Sequence, residues 1–172
     1  MKYNLEDIKI RIMDVVHSSS VDGTGFRDVL FVNYCPHRCD GCHNMQTWDK
    51  SNGRDVTLKE VYDDLMESSF TNVTFSGGEP FEQAKELYVL ACAVKEGGKS
   101  IWIYSGYTFE QLLADEDKKN LLCVCDVLVD GKFDKNLTQL NLKFKGSTNQ
   151  RIIDIAKSLE ENKVVLFDDT FC

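Results

Sequence analysis

The feature that most constrains the fold is an alternation of short apolar segments with helical segments through the middle of the chain. Residues 28–34, 72–75 and 101–104 have the length and composition of buried strands. Thr57 and Thr108 each begin a Thr-x-x-Glu or Thr-x-x-Gln sequence, which is the pattern of a helix capping box. Strands that alternate with helices in this way predict right-handed βαβ units and a parallel sheet, and hence an α/β fold.

The remaining segments are less regular. Three of them have the composition of strands: residues 8–16, 123–129 and 163–167. Residues 132–147 suit either a long loop or a β-hairpin, and residues 151–159 have helical spacing, although Ile152 and Ile153 also suit a strand. No linker divides the chain, so we expect one domain over residues 1–172. A closed eight-unit barrel needs about 250 residues, so any barrel formed here must be partial.

Charge and cysteine content exclude several classes of protein. A net charge of −8 and an isoelectric point near 4.9 argue against a nucleic-acid partner, because phosphate binding requires clustered Lys and Arg. No signal-peptide pattern or bilayer-length apolar run is present, so we expect a cytoplasmic protein without a membrane contact. In a reducing cytosol, seven cysteines do not form a disulfide framework. Four are expected to be core or terminal thiols, with the middle two on one face of a strand: Cys92, Cys123, Cys125 and Cys172.

The other three thiols lie close together in a loop that directly follows the apolar run at residues 28–34. They are Cys35, Cys39 and Cys42, and they are expected to bind metal. A structural zinc site needs four ligands, so zinc would require His37 or His43 as the fourth. A cubane iron–sulfur cluster held by three cysteines instead keeps one iron free to bind another molecule. The loop alone is therefore compatible with either a zinc site or an iron–sulfur cluster.

A second motif, Ser76-Gly77-Gly78-Glu79-Pro80, follows the next predicted strand. The two motifs, in this order, resemble those of the radical S-adenosylmethionine superfamily. Five further segments look like the activating enzymes of anaerobic ribonucleotide reductase: residues 21–27, 41–44, 105–107, 129–133 and 146–151. This resemblance covers nearly the whole chain, and it implies a partial, open (β/α) barrel of parallel strands.

The resemblance also implies a chemistry. A [4Fe-4S] cluster on Cys35, Cys39 and Cys42 would bind S-adenosylmethionine at its open iron and cleave it reductively to a 5′-deoxyadenosyl radical. Similar enzymes use that radical to make a glycyl radical in the large subunit of the reductase, with electrons from a low-potential donor such as a flavodoxin. Eight residues are expected near the cofactor: Gly41, Cys42, His43, Gly77, Gly78, Glu79, Ser105 and Asp130. For the last two, a turn-capping hydroxyl and an Asp-Gly turn are the structural alternatives.

Three classes of function remain open at this point. The first is an activating enzyme for a partner protein. The second is a radical enzyme that acts on a small molecule, such as a deazaguanine-forming synthase, and the third is a non-catalytic iron–sulfur or zinc module. A partial barrel leaves its site laterally open, and an open site can admit a protein loop. This consideration favours the activating enzyme.

Overall fold

A computed structural model describes residues 4–168, so Cys172 lies outside the described residues. Within this part of the chain, seven strands form one sheet in the spatial order β3-β1-β2-β4-β5-β6-β7. In chain order the strands are β1 Lys9–Ser19, β2 Arg27–Val32, β3 Arg54–Thr57, β4 Asn72–Gly77, β5 Ile101–Tyr104, β6 Val127–Asp130 and β7 Arg151–Asp154. The described strands leave β3 and β7 as the two edges, so they do not close a barrel.

The described residues also form five α-helices: α1 Leu58–Met66, α2 Ala84–Glu96, α3 Phe109–Leu113, α4 Glu116–Val124 and α5 Ile155–Glu161. Both predicted capping boxes are confirmed. The Thr57 side chain accepts from the backbone N–H of Glu60, whose side chain accepts in return from Thr57, and Thr108 pairs with Gln111 in the same way. A 3₁₀ turn at Pro80–Gln83 leads into α2.

The α/β class is confirmed, but the expectation of uniformly parallel strands is corrected. Strands β2, β4, β5 and β6 are parallel neighbours, whereas β1, β3 and β7 pair antiparallel. A parallel pair needs a long crossover between its strands. β1 and β2 are joined by a short loop, and no α-helix lies between β6 and β7, so neither pair has the crossover helix of a βαβ unit.

Two strand predictions near the carboxyl terminus are also corrected. Residues 123–129 do not form one strand, because α4 continues to Val124 and β6 begins only at Val127. Cys123 is therefore an exposed helical residue and Cys125 a buried residue after the helix, so they do not share a strand face. Residues 163–167 contribute an isolated bridge from Leu166 to Ile153 rather than a strand.

Two undecided segments are resolved. Residues 132–147 form a loop with one 3₁₀ turn, Lys135–Leu137, and no hairpin strand. Residues 151–159 begin as strand β7 and continue as helix α5, because Asp154 accepts from the backbone N–H of Lys157 and caps the helix there. β7 pairs with β6 from Asp154 back to Arg151.

The core lies mainly between the sheet and its helices. A continuous cluster of buried aliphatic and aromatic residues joins the strands to α1, α2, α3, α4 and α5. A separate cluster centres on Trp102, whose ring makes edge contacts with Phe144 and Phe167. The helices cover the parallel strands and leave the carboxyl ends of these strands at one edge of the sheet, where loops can form a site. No helix in the described residues is both long and apolar enough to cross a membrane.

Candidate functional site

A cavity of about 590 Å³ lies at the carboxyl ends of the parallel strands. Cys35, Cys39 and Cys42 line it together with Gly77 and Gly78, so the structure brings the two sequence motifs together. The volume lies within the range of small-molecule sites. The three thiols therefore face a space that can hold a cofactor.

The cysteine loop begins where β2 ends, and two non-glycine residues here lie in the left-handed region, Tyr34 at φ 81° and Arg38 at φ 48°. Burial raises the pKa of Cys35 to about 11 and also raises the pKa of Cys39. At neutral pH these thiols are protonated in the absence of metal, so metal binding must displace their protons. The backbone N–H of Asn44 donates to the sulfur of Cys42 at 3.3 Å, a contact that stabilises negative charge on that sulfur.

The paired glycines let the end of β4 lie against the cysteine loop. The backbone N–H of Gly78 donates to Val32 O, and that of Glu79 donates to Tyr34 O, both at 2.8 Å. A Cβ atom on Gly78 would lie 2.2 Å from Tyr34 O, so a larger residue would separate the two segments. Gly77 has φ +99°, a conformation that L side chains rarely adopt. The glycine motif thus serves the contact between two loops of the site.

Glu79 connects the loops around the cavity. Its side chain is fully buried. Oε1 accepts from the Ser105 hydroxyl at 2.9 Å and from the Phe81 N–H at 3.1 Å, and Oε2 accepts from the Gly106 N–H at 2.8 Å. The His37 Nε2 atom lies 2.8 Å from Oε2. One carboxylate therefore joins the cysteine loop, the turn before α2 and the loop after β5.

Two of the expected cofactor residues do not line the cavity. Asp130 is buried, and it accepts from the Phe109 N–H and the Arg151 guanidinium at the start of α3 and β7. Gly41 has φ +74° and faces the side chain of Lys135. The other six line the cavity: Cys42, His43, Gly77, Gly78, Glu79 and Ser105.

Sequence reasoning missed part of the cavity wall. Phe133 lines the cavity and packs against His43, with ring centroids 5.2 Å apart, and it lies 3.7 Å from where a Cβ of Gly41 would be. The Tyr104 hydroxyl donates to Phe144 O at 2.7 Å and ties the loop after β6 to β5. An apolar residue just after the Asp-Gly turn that ends a parallel strand was the available signal for Phe133.

The donor set fits an iron–sulfur cluster better than a single zinc ion. Between residues 4 and 168, no three Cys, His, Asp or Glu side chains converge as a single metal ion requires. Three thiols that border one cavity are the donors that an iron–sulfur cluster takes. His37, one candidate fourth zinc ligand, already contacts Glu79 through Nε2.

A family model described as "4Fe-4S single cluster domain" matches residues 21–153, which span the cysteine loop and the strands that frame the cavity. The chain therefore belongs to this family of iron–sulfur proteins. The match supports an iron–sulfur cluster as the cofactor.

Named relatives narrow this class to the anaerobic ribonucleoside-triphosphate reductase-activating proteins, the family to which the chain belongs. The relative from Enterobacteria phage T4 is 39% identical over 139 residues, which cover 77% of this chain and 86% of the relative. The relative from Vibrio cholerae is 36% identical, with coverage of 77% and 90%, and that from Escherichia coli K12 is 32% identical, with coverage of 76% and 89%.

The chain is also similar in fold to QueE from Escherichia coli. The crystal structure of QueE matches with a TM-score of 0.52 and 17% identity, over 60% of this chain and 55% of the QueE chain. At this identity the likeness concerns the fold alone. It agrees with the mixed α/β fold of this chain.

Proposed function

We propose that this chain is a single-domain radical S-adenosylmethionine enzyme that activates anaerobic ribonucleotide reductase. The observation that carries the proposal is the shared cavity, which three thiols line together with the paired glycines at the end of β4. Its named relatives are activating proteins for anaerobic ribonucleoside-triphosphate reductase. In the proposal the sheet forms part of an open (β/α) barrel, with the cofactors at its open end.

Each part of the cavity has a role in this reaction. Cys35, Cys39 and Cys42 would hold a [4Fe-4S] cluster, and three protein ligands would leave one iron free to bind S-adenosylmethionine. When bound, the cluster supplies the electron that breaks the bond between the sulfonium and the adenosyl carbon of S-adenosylmethionine, which yields methionine and a 5′-deoxyadenosyl radical. Gly77 and Gly78 present backbone groups to the cofactor from the end of β4.

The radical is proposed to take a hydrogen atom from a glycine in the large subunit of the reductase, which leaves a glycyl radical there. His43 and Lys143 line the cavity and are exposed, so a loop of a partner protein can reach it. The electron comes from an external low-potential donor such as a flavodoxin. The reaction takes place in the cytoplasm, where cysteine ligands stay reduced.

The test is a direct assay of the radical. The cluster is reconstituted without air, reductant and S-adenosylmethionine are added with the candidate reductase subunit, and electron paramagnetic resonance is used to detect a glycyl radical. A signal that requires all components is the expected result. Cleavage of S-adenosylmethionine without that signal would favour a small-molecule substrate, and no cleavage with any partner would exclude the enzyme.

A further inference from the structure

We propose that His37 is a positioning residue whose imidazole fixes the orientation of the cysteine loop. Four residues form the His37 socket: Glu79, Ser105, Gly106 and Tyr107. The inference rests on the proposed function, because the loop that is held carries the cluster ligands. It also gives a role to the Ser-Gly-Tyr sequence after β5, of which only the serine was expected at the cofactor.

The socket holds the imidazole on three sides. Nε2 lies 2.8 Å from Glu79 Oε2, and a carboxylate oxygen only accepts, so the ring carries a proton on Nε2 and donates it. The ring of Tyr107 meets the imidazole edge-on, with centroids 4.5 Å apart and an interplanar angle of 71°. A Cβ atom on Gly106 would lie 2.4 Å from His37 Cδ2, so the glycine makes room for the ring. The side chain of His37 is only 6% exposed.

The carboxylate of Glu79 is saturated by protein donors. A carboxylate has about four lone-pair sites. Here four donors occupy them: the backbone N–H groups of Phe81 and Gly106, the Ser105 hydroxyl and His37 Nε2. The Glu79 side chain therefore acts between loops rather than on S-adenosylmethionine, and the Ser105 hydroxyl is likewise occupied. Glu79 and Ser105 are thus positioning residues in this proposal.

The cysteine loop has few hydrogen bonds between backbone groups, so a side-chain anchor adds to what orients it. Within residues 35–42 of the described structure, the one hydrogen bond between two backbone groups joins the Cys42 N–H to Cys39 O, and backbone groups of His37 and Arg38 bond to the Cys35 thiol. His37 lies two residues from both Cys35 and Cys39, next to the left-handed Arg38. Fixing its side chain fixes the direction in which these two thiols enter the cavity.

The first test uses iron-free protein, so it does not depend on the proposed reaction. Amide hydrogen exchange is measured over residues 35–44 in His37→Leu, His37→Gln and the matched control His17→Leu. His17 is half exposed and does not line the cavity. Loss of the buried hydrogen bond in His37→Leu should speed exchange by about tenfold, and glutamine, which keeps a donor near the Nε2 position, should restore it. Unchanged exchange in His37→Leu would overturn the proposal.

The second test uses the cluster-loaded protein. We expect His37→Leu to weaken S-adenosylmethionine binding by about tenfold and to reduce the change that this ligand causes in the electron paramagnetic resonance spectrum of the reduced cluster, with recovery in His37→Gln. Gly106→Ala keeps every ligand but displaces the imidazole, and it should act in the same direction. Wild-type affinity in both His37→Leu and Gly106→Ala would contradict the inference. If the wild type itself does not bind S-adenosylmethionine, the proposed function fails, and the exchange test still decides the socket.

Discussion

Two buried carboxylates, Asp28 and Glu79, lie at opposite ends of the parallel strands and differ in what their partners do. Asp28, near the start of β2, is 1% exposed and accepts from the Thr71 hydroxyl at 2.6 Å and the Ser18 N–H at 3.0 Å. Lys99 lies 4.0 Å away and donates to backbone carbonyls at the end of α1. None of these partners of Asp28 lines the cavity, so the contacts join only elements of the protein framework.

The contacts of Glu79 instead reach the loops that carry the thiols. Its four donors come from the cysteine loop, the turn before α2 and the loop after β5. Beside it, Cys35, Cys39 and Cys42 line the cavity. A buried polar cluster that joins only framework elements supports stability, whereas one that orients a loop bordering a cavity also supports ligand binding. Substitutions at the two ends should therefore affect different measurements.

The largest effect is expected from removing a cluster ligand at the Glu79 end. In Cys39→Ala, two thiols remain on the cavity, so we expect iron and sulfide content to fall and cleavage of S-adenosylmethionine to drop to background. Cys92→Ala is the matched control, because Cys92 lies on α2 and does not line the cavity. Equal losses in both variants would contradict the assignment of the ligands. Metal and sulfide analysis together with product chromatography measures both quantities.

The next effect tests the other end of the strands. Asp28→Asn removes the negative charge beside Lys99 and leaves a buried cation without its counter-ion, so the free energy of unfolding should fall by about 3 kcal/mol. Urea unfolding of the iron-free protein measures this loss. Asp63→Asn serves as the control, since Asp63 forms an exposed pair with Lys59, and it should change stability little.

The same variant also tests whether the two ends are independent. Folded Asp28→Asn protein should take up iron and bind S-adenosylmethionine as the wild type does, because Asp28 does not line the cavity. A loss of ligand affinity in this variant, with stability unchanged, would show that Asp28 supports ligand binding and not stability.

A smaller effect concerns the aromatic wall of the cavity. Phe133→Ala removes the ring that packs on His43, and we expect S-adenosylmethionine to bind about tenfold more weakly, because stacking of a base on an aromatic ring is worth roughly 1–3 kcal/mol. Methionine alone, which lacks adenine, should bind equally to both proteins. Phe26→Ala is the control, since Phe26 is exposed and does not line the cavity. Equilibrium dialysis measures the affinities, and an equal loss for methionine would show that the ring does not contact adenine.

The sequence predicts local features such as helix caps better than it predicts which strands pair with one another. The capping boxes at Thr57 and Thr108 depend on neighbours within four residues, and both are confirmed. Strand β3, Arg54–Thr57, was missed because it is short and has no alternating pattern. It is a strand only through its pairing with β1, which lies some forty residues earlier in the chain.

The residues of the candidate site also differ in whether local sequence or long-range packing places them. The cysteines and glycines are visible because their spacing is local, and they meet because parallel strands place their carboxyl ends at one edge. The His37 socket is not visible, because Glu79 and Gly106 lie far from His37 in sequence and are selected by packing. Asp130 follows the same rule, since its partner Arg151 lies in a segment that the sequence left undecided between a helix and a strand.

The smallest effect concerns a third carboxylate, Glu110, which shares Arg151 with Asp130 but lies at the surface. Hydrogen bonds from Arg151 lower the pKa of Glu110 to about 2. Its stabilising contribution is therefore present above the unfolded pKa of about 4.3 and is lost as the pH falls through about 2. Because its side chain is 60% exposed, solvent screening limits this contribution to at most about 1 kcal/mol.

Glu110→Gln should lower the free energy of unfolding of the iron-free protein by that amount at pH 7, and the two proteins should converge near pH 2. Urea unfolding at several pH values between 2 and 7 measures the difference. Glu161→Gln, which removes the exposed pair with Lys163, is the control and should have a smaller effect, because that pair has a single contact where Arg151 makes two to Glu110. A larger loss in Glu110→Gln than in Asp28→Asn would show that burial does not decide the strength of these carboxylate contacts.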